Sequence, residues 1–222
     1  MGDAEATRPR LDPEIAPAGA ALALERSGLS TEYVVRGGDP VTAILNEAEV
    51  VAADLVVLGS RDLGRLESMV AGSVALGVLD GAACPVLVAR VPRVDKILLA
   101  TDGSEASAVA AEAVARWPIF EGVDVDVLSV TTLAARSEQR KTAAAAAAAA
   151  AAVRGAGRSV VPRVRVGDEA TEIVSFAEAH SIDLIVLGSR GRTGLTRALL
   201  GSVTRDVVTS TEASVLVVRY VG

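Results

Sequence analysis

Laid over itself at an offset of 129, the chain repeats: residues 36–90 match residues 165–219 at 23 of 55 positions without a gap. The matches fall on turn residues as well as apolar runs. Gly38-Asp39 lies on Gly167-Asp168, DLVVLGSR at 54–61 on DLIVLGSR at 183–190, Gly72-Ser73-Val74 on Gly201-Ser202-Val203, and Val86-Leu87-Val88 on Val215-Leu216-Val217. A duplication of this kind requires both copies to use the same apolar runs at equivalent places in one architecture.

The second copy reads as strands alternating with helices. Short continuous apolar runs at 96–101, 124–130, 160–166, 184–187 and 214–219 fit strands buried on both faces of a parallel sheet. Helices are expected at 104–116, from the alanine-rich segment to about 156, at 169–180 and at 202–210, with Asp168 as a cap. The pattern gives an α/β sandwich. In the first copy the first strand, first helix and second strand would fall before residue 1, which reads as a late start codon or a degraded gene. What remains is a helix at 20–27, a third strand at 31–36, a third helix, a fourth strand at 55–58, a fourth helix and a fifth strand at 86–89. Residues 91–95 form the joint. The retained third and fourth strands are not sheet neighbours, so this copy is expected to pack loosely, with exposed strand edges.

Composition removes several functions. With 22 Lys+Arg against 28 Asp+Glu and a net charge of −6, no basic coat for nucleic acid exists. One cysteine, Cys84, forms no internal disulfide, and one histidine, His180, leaves no zinc cluster. Cys84 reads as an inert small hydrophobe, His180 as structural, and Trp117 as cover for the end of the first helix of copy 2. The early acids and prolines do not resemble a secretory leader, and no run of about twenty apolar residues suits a membrane span, so a cytoplasmic protein is expected. The ten alanines at 143–152 read as a helix surface.

Chemistry concentrates after the fourth strand of copy 2, in Gly188-Ser189-Arg190-Gly191, nine residues, then Gly201-Ser202. This loop leaves the carboxyl end of a parallel strand and enters a helix N-terminus, where unpaired amides and the helix dipole favour an anion. Arg190, Arg192 and Arg197 add positive charge with no acid between 188 and 201, although Arg192 and Arg197 read equally well as solvated surface charge. Neither lysine, Lys96 or Lys141, follows a glycine, which excludes a Walker loop; Asp102-Gly-Ser-Glu-Ala-Ser107 is no dinucleotide fingerprint, and Gly-x-Ser-x-Gly is absent. Asp102 or Ser104 serves equally well as a helix cap.

The glycine motif, together with Leu99-Ala-Thr-Asp102-Gly-Ser104, resembles the ATP-binding branch of the universal stress protein family in its tandem form. The resemblance implies two repeats of a parallel five-stranded sheet of order 3-2-1-4-5 flanked by helices, the first lacking its first two strands. Residues 1–92 would be a truncated domain and 93–222 a complete one carrying the ATP motif. It implies ATP as ligand; Mg²⁺, held by the phosphates and Ser202, belongs to the hydrolytic alternative. Asp102 and Thr101 would lie at adenosine and Val130 against adenine, while Gly188, Ser189, Arg190, Gly191, Gly201, Ser202 and Val203 would hold ribose and phosphates. It also implies a homodimer through fifth strands. In copy 1, Asp62 and Glu67 replace Gly191 and Thr196, so at most one ATP per chain is expected. The leading reading is a nucleotide-dependent stress-response regulator that contacts neither nucleic acid nor membrane. A slow Mg-dependent ATPase, or a dimerisation module without nucleotide, is the alternative.

Overall fold

The computed structural model describes residues 28–59, 72–132, 135–154, 159–189 and 200–219. The chain divides into two compact units, Met1–Ala43 and Ile44–Gly222. In the first unit, residues 29–37 form no regular element and Tyr33, Val34 and Val35 are exposed. The strand expected at 31–36 is therefore absent. A third strand of this topology bonds to a second strand, and among the described residues the first repeat offers none, so the backbone has no ladder to join. The helix expected at 20–27 lies outside the described residues. Helix α1 (Pro40–Val50) begins in this unit, where Asp39 caps it by accepting from the Thr42 amide and hydroxyl, each at 2.8 Å.

The second unit is built on one seven-stranded sheet. Its elements run β1 (Val56–Gly59), α2 (Ser73–Gly81), β2 (Val86–Ala89), β3 (Lys96–Ala100), α3 (Glu105–Arg116), a 3₁₀ turn (Pro118–Phe120), β4 (Asp124–Thr131), α4 (Arg136–Val153), β5 (Val160–Val166), α5 (Glu169–Ala179), β6 (Leu184–Gly188), α6 (Ser202–Ser210) and β7 (Ser214–Val218). The strand order is β1-β2-β7-β6-β3-β4-β5. Five of these, β5-β4-β3-β6-β7, reproduce the expected order 3-2-1-4-5 for the second repeat, and all their pairings are parallel. The first repeat contributes its fourth and fifth strands, β1 and β2.

The repeats meet in antiparallel pairing of their fifth strands, with Val86 opposite Val217, Leu87 opposite Leu216 and Val88 opposite Val215. The contact that the resemblance assigns to a homodimer is thus made within one chain. Because β2 also pairs with β1 and β7 with β6, neither fifth strand keeps an edge for a second chain. Arg90 and Arg219, equivalent in the two repeats, reinforce the join reciprocally. Arg90 donates to the Val208 carbonyl at 2.7 Å and the Ala213 carbonyl at 2.9 Å, and Arg219 donates to the Leu79 carbonyl, the counterpart of Val208. Burial pushes the Arg90 guanidinium pKa down, a cost that these two charge-assisted bonds offset.

The central strands are largely apolar: β6 and β7 are buried at every residue, Ser214 included, and Ile97, Leu98, Leu99, Ile185 and Val186 are fully enclosed. Helices cover both faces, as a parallel sheet requires. In α4 the alanine stripe Ala146, Ala149, Ala150 and Val153 is the buried face, so the alanine run is an amphipathic surface helix. The outer strand β5 carries Pro162, Arg163 and Arg165, which blunt that edge. At the opposite edge, among the described residues, β1 pairs with β2 alone and Val57 is exposed. His180 stacks on Phe176 at 3.8 Å, Trp117 stacks on Phe120 beyond the end of α3, and Cys84 is half-buried.

Asp168 caps α5, accepting from the Thr171 hydroxyl at 2.7 Å and its amide at 3.0 Å; these bonds hold its carboxyl below the usual aspartate value. The capping contribution is complete above the unfolded carboxylate range and is lost as pH falls through the lowered folded value. Asp168→Ala is expected to lower the thermal midpoint at pH 7. The gap from the parent chain should narrow as pH falls through the lowered carboxylate value, as melts across the acid range would show.

Candidate functional site

The sheet's topological switch point lies at β3, from which the chain passes to β4 on one side and to β6 on the other. Off the carboxyl ends of these strands opens a cleft of about 750 Å³. Its floor is Ala100, Thr101 and Asp102 from β3, Leu128–Thr132 from β4, and Leu187 and Gly188 from β6. One wall is the start of α6, Gly201–Thr204; the other is Glu138, Lys141 and Thr142 of α4, with Glu169 and Ile173 of α5.

Thr101 organises the β3 exit. Its amide donates to the Leu128 carbonyl at 2.9 Å, and its carbonyl accepts from the Ser129 hydroxyl at 2.6 Å. Its hydroxyl donates to the Ser107 hydroxyl at 3.0 Å and accepts from the Gly103 amide at 3.2 Å. The turn passes through Gly103 at φ +78°, a conformation that favours glycine, and Asp102 accepts from the Ser104 amide at 3.0 Å. Ser104 is the cap of α3, accepting from the Ser107 amide at 3.2 Å. Asp102 therefore both braces this turn and lines the cleft, while Thr101 is mostly framework.

Gly188 is fixed by packing: a Cβ there would lie 2.6 Å from the Ala106 carbonyl carbon and 2.9 Å from the Ser107 nitrogen. The first turn of α3 crosses β6 at backbone contact, a closer reason for glycine than access to an anion. The Gly188 carbonyl accepts from the Thr204 hydroxyl at 3.1 Å, tying α6 to the strand. Ser189 is buried outside the cleft; its amide donates to the Val218 carbonyl at 2.9 Å and its carbonyl accepts from the Gly201 amide at 3.0 Å. The Ser189 backbone and the Gly201 amide thus belong to the frame. Ser202 and Val203 line the cleft in the first turn of α6, whose amides have no helix carbonyl below them to bond.

Seven expected residues line the cleft together: Thr101, Asp102, Val130, Gly188, Gly201, Ser202 and Val203. Arg190 and Gly191, the arginines at 192 and 197, and the acidic positions 62 and 67 of the first repeat fall outside the described residues. Sequence reasoning missed Glu138, Lys141 and Thr142, although their i, i+3, i+4 spacing puts them on the α4 stripe that continues into Ala146, Ala149 and Ala150. Lys141 pairs with Glu138 at 2.7 Å. Among the described residues, no group of three His, Cys, Asp or Glu side chains could hold a metal.

A family model described as the universal stress protein family matches residues 2–90 and again 93–219. The chain belongs to the universal stress protein family. Similar members include a universal stress protein of Mycolicibacterium smegmatis, 31% identical over 217 residues that cover 88% of this chain and 71% of the relative. Another, of Mycobacterium tuberculosis, is 32% identical over 194 residues, covering 79% of this chain and 63% of the relative. A match of 53% identity over 53 residues links 24% of this chain to 31% of a universal stress protein of Methanocaldococcus jannaschii. The matched segments span 71%, 63% and 31% of these three relatives' own lengths. The fold is shared with a universal stress protein of Archaeoglobus fulgidus at a TM-score of 0.69 and 23% identity, covering 93% of this chain and 75% of that one. It is also shared with a putative one of Pseudomonas aeruginosa at 0.70 and 22%, covering 96% and 80%.

Gly188→Ala should destabilise the protein by about 1–3 kcal/mol, because the clash is with backbone and cannot be relieved by a rotamer change. Denaturant unfolding with an unchanged slope would register the loss.

Proposed function

We propose that this universal stress protein binds an adenine nucleotide, ATP carrying Mg²⁺, in the cleft of its second repeat and uses occupancy as a regulatory signal in the stress response. The observation that carries the reading is the polarity of the cleft. Asp102 and the half-buried, apolar Val130 line the cleft from the carboxyl ends of β3 and β4; across it, Ser202 and Val203 begin α6. A carboxylate suits the hydroxyl and amino donors of adenosine, and an aliphatic side chain suits the face of a base. Free amides at a helix start suit phosphate. The volume, about 750 Å³, lies within the usual range for a small-ligand pocket. Arg190 and Gly191 are assigned to the phosphates on sequence grounds, and Mg²⁺ would be held chiefly by phosphate oxygens with the Ser202 hydroxyl in reach.

The fifth-strand pairing supports a tandem arrangement in which the first repeat acts as an internal partner of the second. Further association into a homodimer would then use another surface, and the protein would work in the cytoplasm.

At 100 times its dissociation constant, Mg-ATP should stabilise the chain by about 2.7 kcal/mol, raising the thermal midpoint by several degrees. Ser202→Glu places an acid at the first position of α6, where the helix dipole tolerates or favours it, so the ligand-free midpoint should hold. The same acid opposes phosphate, and the Mg-ATP shift should vanish. An undiminished shift in Ser202→Glu would overturn the placement of phosphate at α6.

A further inference from the structure

We propose that Asp80, a residue of the incomplete first repeat, is a positioning residue for the anion end of the cleft in the second; the inference rests on the nucleotide reading above. Asp80 stands on α2, and its carboxylate reaches across the join between the repeats. Both of its oxygens accept from the Arg205 guanidinium at 2.8 Å, and one also accepts from the Leu200 amide at 3.2 Å. Leu200 is buried and immediately precedes Gly201, the cap of α6; Arg205 lies in the first turns of the same helix, and its amide donates to the Gly201 carbonyl at 2.9 Å. One side chain from outside the second repeat therefore holds both flanks of the segment that presents the Ser202 and Val203 amides.

The contact runs in one direction. The arginine contacts obey the twofold relation between the repeats, with Arg90 on Val208 answered by Arg219 on Leu79. Asp80 has no such answer. Its counterpart is Thr209, whose hydroxyl turns back to the Arg205 and Asp206 carbonyls of its own helix at 3.1 Å, and the counterpart of Arg205 is Leu76. The first repeat thus braces α6 of the second, and the second returns no equivalent brace. The charge also matters: a lone cation near a helix N-terminus opposes the dipole, and Asp80 neutralises Arg205 there.

The test uses the full chain, with Mg-ATP and adenosine as separate probes in calorimetry, alongside Asp80→Ala and Asp80→Asn. Asp80→Ala removes every acceptor at this position, whereas Asp80→Asn keeps an oxygen for the Leu200 amide. Mg-ATP affinity should fall roughly tenfold in Asp80→Ala and be largely restored in Asp80→Asn, with adenosine affinity unchanged in both. Amide exchange at residues 200–204 of the ligand-free chain should quicken in Asp80→Ala. A merely structural contact would weaken both probes alike, and a dominant role for the released Arg205 would tighten Mg-ATP in both variants; either result overturns the proposal. Equal Mg-ATP binding by parent and Asp80→Ala sinks the role of Asp80 alone. A parent chain that binds neither probe sinks the nucleotide reading, and this role with it.

Discussion

Three antiparallel residue pairs between β2 and β7 decide whether the first repeat has a structure to belong to. Alone, β1 and β2 would be a two-stranded parallel ribbon of four residues each, well below what is stable in water. Joined to β7 they extend a sheet that the second repeat has already made, and Val86 and Val88 become fully buried. The reciprocal arginine contacts then seal the helices against the join. An interface that elsewhere could unite two chains here serves as internal scaffolding, and its pairing partner is always present at the concentration set by the covalent link.

The candidate site lies on the same sheet, at the switch point beside β3. Every local feature there has a framework cause first: Gly188 for the crossing of α3, Thr101 and Ser107 for the turn after β3, Ser189 for the β6–β7 ladder. Around this frame a short list of groups lines the cleft. Asp102 and Val130 do so from the carboxyl ends of β3 and β4, and the first residues of α6 from across it. A frame fixed in this way lowers the ordering cost of binding a small molecule.

Most of this was legible in the sequence because the repeat and the apolar runs act at short range. Strands β2 and β5 and helix α6 fall at the expected residues, and the strand order of the second repeat is as expected. The misreadings share one cause, long-range pairing. Residues 31–36 look like a strand by composition, yet backbone without a neighbouring ladder stays irregular. The fifth-strand edge looks free for a second chain until both repeats are placed in one sheet. Ser189 carries the family's motif position but is enclosed, and the wall formed by Glu138, Lys141 and Thr142 becomes visible only when α4 is laid against β4.

The most direct test of the account is a crystal structure of the full chain with a non-hydrolysable Mg-ATP analogue. The account predicts a single nucleotide per chain, with adenosine between Asp102 and Val130, phosphates at the Ser202 and Val203 amides, and β2 still paired with β7. Nucleotide bound in the reverse sense, or anywhere outside the cleft of the second repeat, would contradict it.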